Sequence, residues 1–145
     1  MYSIKQIPSS ATFAVRLPVL RPGKTVESCV FDGDDLPTTV HFGIFEDENL
    51  IGVISVFKAN TNLLPQNNQF QILGMAVLDS HQKRGLGDRL VKAAEDNIIS
   101  QNADAIWFNA REIAVGFYKK MGYEIIGTPF TIGDIGVHHV MYRLL

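Results

Sequence analysis

The chain has 145 residues, of which 46% are hydrophobic and 19% charged, a composition typical of a globular protein. This length predicts one domain over residues 1–145. The net charge of −2 gives no general attraction to nucleic acid or to an anionic membrane, so we expect neither as a partner. The single cysteine, Cys29, excludes an internal disulfide and a cysteine-based metal cluster, and we expect no metal. Because no segment resembles a signal peptide or an apolar span of ~20 residues, we expect a cytoplasmic location.

The first forty residues predict one strand, one short helix and a long loop. The strand is expected at 3–7, and Ser9 or Ser10 offers an N-cap for the helix. We expect this helix to run to about Arg16 and to be ended by Pro18 and by Pro22-Gly23, because proline disfavours helical backbone at the preceding residue. Residues 21–40 are rich in Asp, Gly, Pro and Thr, which indicates a loop.

The rest of the chain predicts alternating strands and helices. Strands at 41–45 and 50–57 form a hairpin, and a buried strand at 70–77 precedes a long helix at 85–101. The remaining elements are a strand at 105–109, a helix at 113–121 that Gly122 ends, and strands at 123–132 and 137–144. This order predicts a mixed-sheet α/β fold, with parallel pairing in the middle and antiparallel strands at one side.

The most informative segment is the turn between the strand at 70–77 and the long helix, Gln82-Lys83-Arg84-Gly85-Leu86-Gly87-Asp88. Its two glycines let a ligand approach the backbone, and the first turn of a helix offers unpaired N–H groups and a partial positive charge. The turn therefore predicts a site for an anion such as phosphate. It has neither the spacing of a Walker A loop nor the third glycine and acid of a dinucleotide fingerprint. It fits the pattern Gln-x-x-Gly-x-Gly.

Two flanking motifs give this turn a context. Gly-Met-Ala-Val occupies 74–77 directly before the turn. Phe-Tyr-x-x-x-Gly-Tyr occupies 117–123, where the helix predicted at 113–121 ends. With these motifs in this order, residues 41–145 resemble the GNAT superfamily of acetyl-CoA-dependent N-acetyltransferases. The resemblance implies a mixed, mostly antiparallel sheet with a central splayed pair of parallel strands and flanking helices.

Within that superfamily the chain is most similar to small ElaA-like bacterial members. Two segments carry this similarity, Asn109-Ala110-Arg111 and the glycine- and histidine-containing run Gly136–Met141. The run has Val137 where those members have a proline. Homodimers are common in the superfamily, so a homodimer is a possible assembly.

The resemblance implies a binding site for acetyl-CoA. The pyrophosphate would lie on backbone N–H groups of the turn, from Gln82, Lys83, Arg84, Gly85, Leu86, Gly87 and Asp88, where the helix dipole also favours an anion. Backbone groups of Met75, Ala76 and Val77 would bind the pantetheine arm as an added strand does. Asn109 would hydrogen-bond this arm, or alternatively cap the next helix, and Phe117 would contact the cofactor.

The resemblance also assigns catalytic roles. Tyr118 would donate a proton to the departing thiolate of coenzyme A, whereas the alternative is a tyrosine that only packs on its helix. The attacking amine must first lose a proton, and His138 is the best candidate for the base because it matches the subgroup's histidine. His41 and Glu46 are weaker candidates. His138 and His139 are adjacent on a strand and must face opposite ways.

The function expected from these residues is transfer of acetyl from acetyl-CoA to a primary amine of a small molecule, by direct attack in a ternary complex. A route through acetylated Cys29 is disfavoured because no histidine partner lies near it in sequence. The alternatives are a non-catalytic acyl-CoA-binding sensor module and a nucleotide-binding domain of another kind. Acidic residues between 32 and 48 could line a cleft for a cationic acceptor.

Overall fold

The computed structural model describes residues 1–145 as one seven-stranded sheet flanked by three α-helices. The strands are β1 (Tyr2–Ile7), β2 (Val40–Glu46), β3 (Asn49–Lys58), β4 (Gln69–Val77), β5 (Ala105–Arg111), β6 (Glu124–Ile132) and β7 (Gly136–Leu144). The helices are α1 (Phe13–Leu20), α2 (Leu86–Ser100) and α3 (Val115–Lys120), and short 3₁₀ turns cover Ser9–Thr12, Val26–Cys29, Asp79–His81 and Glu112–Ala114. None of the helices has the length and apolar character needed to cross a membrane.

The sheet order is β1-β2-β3-β4-β5-β7-β6. Only β4 and β5 run parallel, and every other neighbouring pair is antiparallel. The helical segment α2 connects the two parallel strands, as a crossover between parallel strands requires. This arrangement confirms the predicted fold class, a mixed and mostly antiparallel sheet with a central parallel pair.

Two irregularities open the sheet at its centre. β4 pairs with β5 only over 69–71, and beyond that point the two strands diverge. On its other side, β4 places two residues, Gly74 and Met75, opposite one residue of β3, which is a β-bulge. Gly74 has a φ of +70°, a left-handed conformation that glycine adopts without strain. The backbone of residues 75–77 is therefore left without a β5 partner.

The two faces of the sheet are covered by different helices. On one face α2 buries Leu86, Leu90, Val91, Ala94 and Ile98, each at most 2% exposed, together with Phe70 and Ile106 of the sheet. Burying one such leucine side chain contributes roughly 1.5–3 kcal/mol to folding. On the opposite face α1 packs through Val15 against Val53 and Ala76. The opening between the diverging strands β4 and β5 thus lies between α2 on one face of the sheet and α1 on the other.

The first helix differs from the sequence prediction. Pro18 lies inside α1 rather than at its end, and the helix continues to Leu20. Proline removes one helical hydrogen bond, but the N–H of Arg21 still donates to the carbonyl of Leu17, so one further turn forms. The 3₁₀ turn Ser9–Thr12 precedes the helix, and no serine side chain caps either element.

Candidate active site

A cleft of about 620 Å³ lies where β4 and β5 diverge. Its walls come from the end of α1, the loop before β2, β4, the turn before α2, β5, α3 and the β6–β7 connection. The cleft brings together all but one of the predicted site residues: Met75, Ala76, Val77, Gln82, Lys83, Gly85, Leu86, Gly87, Asp88, Asn109, Phe117, Tyr118 and His138.

Arg84 is the predicted residue that does not line the cleft. Its guanidinium Nη1 donates to the hydroxyl of Tyr2 at 3.0 Å and lies 4.0 Å from Glu46 Oε2. The side chain is therefore directed toward β1 and β2, and Arg84 would contribute to an anion site in this turn through its backbone N–H. Of the two cationic residues in this turn, Lys83 and Arg84, only Lys83 lines the cleft. Lys83 makes no ion pair within the chain.

The turn before α2 presents a run of unpaired donors. The backbone N–H groups of 83–88 make no hydrogen bond within the chain, and the first helical bond of α2 runs from Arg89 N–H to the carbonyl of Gly85. Lys83 and Gly85 have φ values of +63° and +74°. Left-handed residues of this kind curve the backbone into a concave nest of N–H groups that binds anions. The turn thus has the geometry of a phosphate site.

Gly87 lies beside the wall of the cleft. A Cβ built on Gly87 would lie 3.6 Å from the Sδ of Met75 and 3.8 Å from Cζ of Phe117, which are ordinary contacts. A larger side chain would therefore extend between Met75 and Phe117 into the cleft. The Gln82 side chain braces the turn, since its Nε2 donates to the carbonyl of Val77 at 2.9 Å.

Tyr118 is held at the cleft by aromatic packing. Its ring lies 4.4 Å from the ring of Phe108 and 4.9 Å from that of Phe117. Gly122, with φ +95°, closes α3 in a Schellman motif, in which Tyr123 N–H donates to the carbonyl of Tyr118. Burial raises the pKa of Tyr118 to about 12. The phenol therefore keeps its proton at neutral pH and can act as a donor.

His138 lies on the other face of the sheet and is buried. Its Nδ1 lies 2.9 Å from the carbonyl oxygen of Gly136. Because a carbonyl only accepts, Nδ1 carries the proton and the neutral ring has its lone pair on Nε2. His139 faces away, and its Nε2 lies 3.5 Å from Glu112 Oε1. Of the two histidines, only His138 lines the cleft.

The sequence also predicts roles for Asn109, His41 and Glu46, and of these only Asn109 lines the cleft. Asn109 lines the cleft and caps neither following helix, so the alternative of a helix cap is wrong. His41 is buried, with Nδ1 2.6 Å from Ser55 Oγ and Nε2 2.9 Å from the Asp34 carbonyl, and it does not reach the cleft. Glu46 accepts from the Nε2 of His81 at 2.9 Å and also lies outside the cleft lining.

One wall of the cleft could not be predicted from the sequence. This wall is formed by Phe31, which stands over the guanidinium of Arg16 at 3.8 Å and against the backbone of Gly74. Arg21 and Arg111 also line the cleft, and the sequence prediction assigned neither of them a role beyond the motif that contains Arg111. No fixed spacing marks these residues, because chain segments distant in sequence bring them together.

This chain is similar to known proteins in sequence and in fold. The acetyltransferase (GNAT) family matches residues 10–123. The chain is 34% identical to YitI of Bacillus subtilis (strain 168), an uncharacterized N-acetyltransferase, over 145 residues that cover 100% of this chain and 97% of that protein. The chain therefore belongs to the GNAT family of acetyltransferases and is an acyltransferase, which confirms the resemblance found in the motifs around residues 74–123.

Two solved structures show the same architecture. The match to ElaA of Escherichia coli has a TM-score of 0.76 at 19% identity and covers 99% of each chain. An aminoglycoside 6'-N-acetyltransferase complexed with coenzyme A has a TM-score of 0.74 at 15% identity, covering 98% of this chain and 96% of that chain. At these identities the likeness shows the fold.

Proposed function

We propose that this chain transfers the acetyl group of acetyl-CoA to a primary amine of a small molecule by direct attack within a ternary complex. The observation that carries the proposal is the run of unpaired N–H groups at 83–88, at the edge of a cleft that also holds Tyr118 and His138. Unpaired donors at the start of a 15-residue helix fit a pyrophosphate, and the unpaired β4 backbone fits the amide groups of a pantetheine arm.

The proposed proton donor and the proposed base lie on opposite faces of the sheet. Tyr118 packs with the core on the α2 face, whereas His138 lies on the face that α1 covers. Since β4 and β5 diverge, the thioester held along 75–77 would be reached by the phenol from one face and by the acceptor amine from the other. This arrangement separates the leaving group from the nucleophile.

The chemistry can be written with residues of the cleft. A solution ammonium ion first releases one proton to solvent. The nitrogen lone pair of the neutral amine then attacks the thioester carbonyl carbon, and the Nε2 lone pair of His138 takes a proton from that nitrogen. The carbon–sulfur bond breaks as Tyr118 donates its hydroxyl proton to sulfur. Return of the proton from His138 to the phenolate through solvent restores both residues, so the products are an N-acetylated amine and the free thiol of coenzyme A.

Direct attack is supported by the position of the only cysteine. Cys29 is fully buried and does not line the cleft, so an acetyl-cysteine intermediate would have no access to the thioester. The amide N–H groups at the β4 bulge offer hydrogen bonds to the oxyanion that forms in the attack.

The proposal is tested by measuring release of coenzyme A thiol from acetyl-CoA with a panel of primary amines. The variant Gly87→Glu should abolish release, because its side chain would place a carboxylate and added volume beside the donor nest. Gly116→Glu is the matched control, since a Cβ at Gly116 meets nothing within 4 Å and Gly116 lies outside the cleft lining. Thiol release that survives Gly87→Glu would overturn the assignment of the nest. Binding of acetyl-CoA without release for any amine would indicate an acyl-CoA sensor instead.

A further inference from the structure

The charges that line the cleft are unbalanced. Asp88, in the first turn of α2, is the only aspartate or glutamate in the lining, whereas Arg21, Lys83 and Arg111 are its lysine and arginine side chains. Lys83 and Asp88 belong to the turn that would hold the donor. The lining outside this turn, where the acceptor would bind, therefore contains two arginines and no aspartate or glutamate.

The acidic residues that a cationic acceptor would need lie elsewhere. Asp34 is buried in an ion pair with Arg16, and Glu46 is hydrogen-bonded to His81. Asp47 lies 3.5 Å from the amino terminus at the far edge of the hairpin. The sequence left open whether acids between 32 and 48 line a cleft for a cationic acceptor, and none of them lines this cleft.

Arg111 lies beside the proposed base. Arg111 of β5 pairs directly with His138 of β7 in an antiparallel register. Directly opposed residues point to the same face of a sheet, with Cβ atoms about 4.5–5.5 Å apart. That face is the one opposite α2, because Trp107 and Val140 at alternate positions of the same strands form the core cluster there. A carboxylate bound by Arg111 and an amine at the Nε2 of His138 would thus be close enough to belong to one small molecule.

Arg21 lines the cleft from the C-terminal end of α1. It follows α1, which packs on the same face, and its guanidinium stands 5.5 Å from the ring centroid of Phe31. The guanidinium makes one hydrogen bond within the chain, from Nη1 to the carbonyl of Leu20, so the other side-chain donors of Arg21 are unpaired. The ion pairs of lysine and arginine side chains in this protein use Arg16, Arg84, Lys92 and Arg143, which leaves Arg21 and Arg111 without acidic partners.

The cleft lining outside the donor turn also contains large apolar side chains. Leu20, Phe31, Ile132 and Ile135 are among them. A pocket with an aromatic ring, aliphatic side chains and two free guanidiniums suits a molecule with an apolar body and a carboxylate. It does not suit a polyamine or an aminosugar with several positive charges, which would meet like charge without a compensating acid.

Resting on the proposed acetyltransferase function, we propose that the acceptor is an amino acid with an apolar side chain, whose carboxylate is bound by Arg111 and Arg21 and whose amine lies at His138. The guanidinium geometry permits a paired hydrogen bond to the two carboxylate oxygens. The amine would then be presented to the thioester from the α1 face of the cleft.

The test compares matched acceptors in the thiol-release assay, with rates normalised to the concentration of free amine. Leucine, methionine and phenylalanine are each paired with their carboxamide, and phenylalanine also with phenethylamine. The carboxylates should have kcat/KM values about tenfold or more above those of their partners, as expected for a hydrogen bond to a charged group. Equal values for carboxylates and carboxamides, or a preference for cationic diamines, would overturn the proposal while leaving acetyl transfer intact. Absence of release with every amine would instead count against the acetyltransferase function.

The variant Arg111→Gln separates binding from folding. It should raise the KM for the amino acids about tenfold or more while leaving the KM for acetyl-CoA and the kcat/KM for phenethylamine within twofold. Arg89→Gln, an exposed arginine of α2 outside the cleft lining, is the matched control and should change neither value. An equal loss for phenylalanine and phenethylamine in Arg111→Gln would show that the guanidinium does not recognise the carboxylate.

Discussion

The guanidinium of Arg16 donates two hydrogen bonds to the carboxylate of Asp34, from Nη1 to Oδ2 at 2.7 Å and from Nη2 to Oδ1 at 3.0 Å. Both side chains are buried, and the same Nη1 also donates to the carbonyl of Cys29 at 2.8 Å. The carboxylate in turn accepts the backbone N–H of Phe31 at 2.9 Å. The ion pair therefore ties the loop before β2 to α1 and fixes the Phe31 wall of the cleft.

Replacing Asp34 with asparagine should destabilise the protein strongly. The substitution removes a charge but little volume, and it leaves the fully buried guanidinium of Arg16 uncompensated. Breaking a buried pair in this way costs about 3–5 kcal/mol. Urea denaturation measures the change in the free energy of unfolding. Asp32→Asn, an exposed neighbour, is the control and should stay within about 0.5 kcal/mol of the wild type. A loss in Asp34→Asn as small as that of the control would show that the ion pair does not stabilise the fold.

The same ion pair makes stability depend on acid pH. Burial alone would raise the pKa of Asp34, but hydrogen bonds from Arg16 and Phe31 and the positive charge of Arg16 outweigh it, so this pKa lies below its ordinary value. A depressed pKa contributes stability above the unfolded value of about 3.9, and this stability is lost as pH falls through the folded value. The gap in the free energy of unfolding between wild type and Asp34→Asn should therefore be constant above about pH 5 and narrow below about pH 3.9. Denaturation at pH 6, 4 and 3 would measure it, and a gap that stays constant to the lowest pH contradicts the assignment.

The contrast between the donor and acceptor sides shows what a single sequence can predict. The donor turn was predictable because its elements are consecutive: strand β4, two glycines and the start of α2 follow one another within 69–100. Its physical logic is local, since backbone N–H groups at a helix start need no distant partner. The motif at 117–123 was predictable for the same reason, because the Schellman motif that closes α3 is formed by neighbours.

The acceptor side depends on contacts between distant segments. Arg16, Asp34 and Ser55 are separated by as many as 39 positions, and nothing in their spacing indicates that they share one buried network. The same limit explains Arg84, which the sequence places among the cations of the donor turn but which the fold turns toward Tyr2, 82 positions away. Long-range partners of single polar side chains are set by the fold and not by local pattern.

Replacing Tyr118 with phenylalanine should slow the reaction without disturbing the fold. The ring keeps its packing on Phe108 and Phe117, whereas the proton donor to the thiolate is lost. We expect kcat to fall by about 10²-fold or more, with little change in the KM for acetyl-CoA. Thiol release and urea denaturation measure the two effects. Because burial raises the pKa of Tyr118 to about 12, wild-type activity should show no loss from ionisation of this phenol up to about pH 10. An unchanged kcat in the variant would reduce Tyr118 to a packing residue.

Replacing His138 with glutamine tests the proposed base through its pH dependence. Glutamine can still donate to the carbonyl of Gly136, but it offers no lone pair basic enough to take a proton from the amine. We expect kcat/KM at pH 7 to fall by about 10²-fold, the usual lower range for loss of an acid–base group. The deficit should shrink toward pH 10, because hydroxide then becomes concentrated enough to take the proton from the attacking nitrogen in place of the imidazole. His139→Gln is the matched control, since that side chain faces Glu112 outside the cleft and should leave the pH profile unchanged. If the deficit of His138→Gln is the same at every pH, then His138 positions the acceptor or the sheet, and the proton must leave the amine by another route.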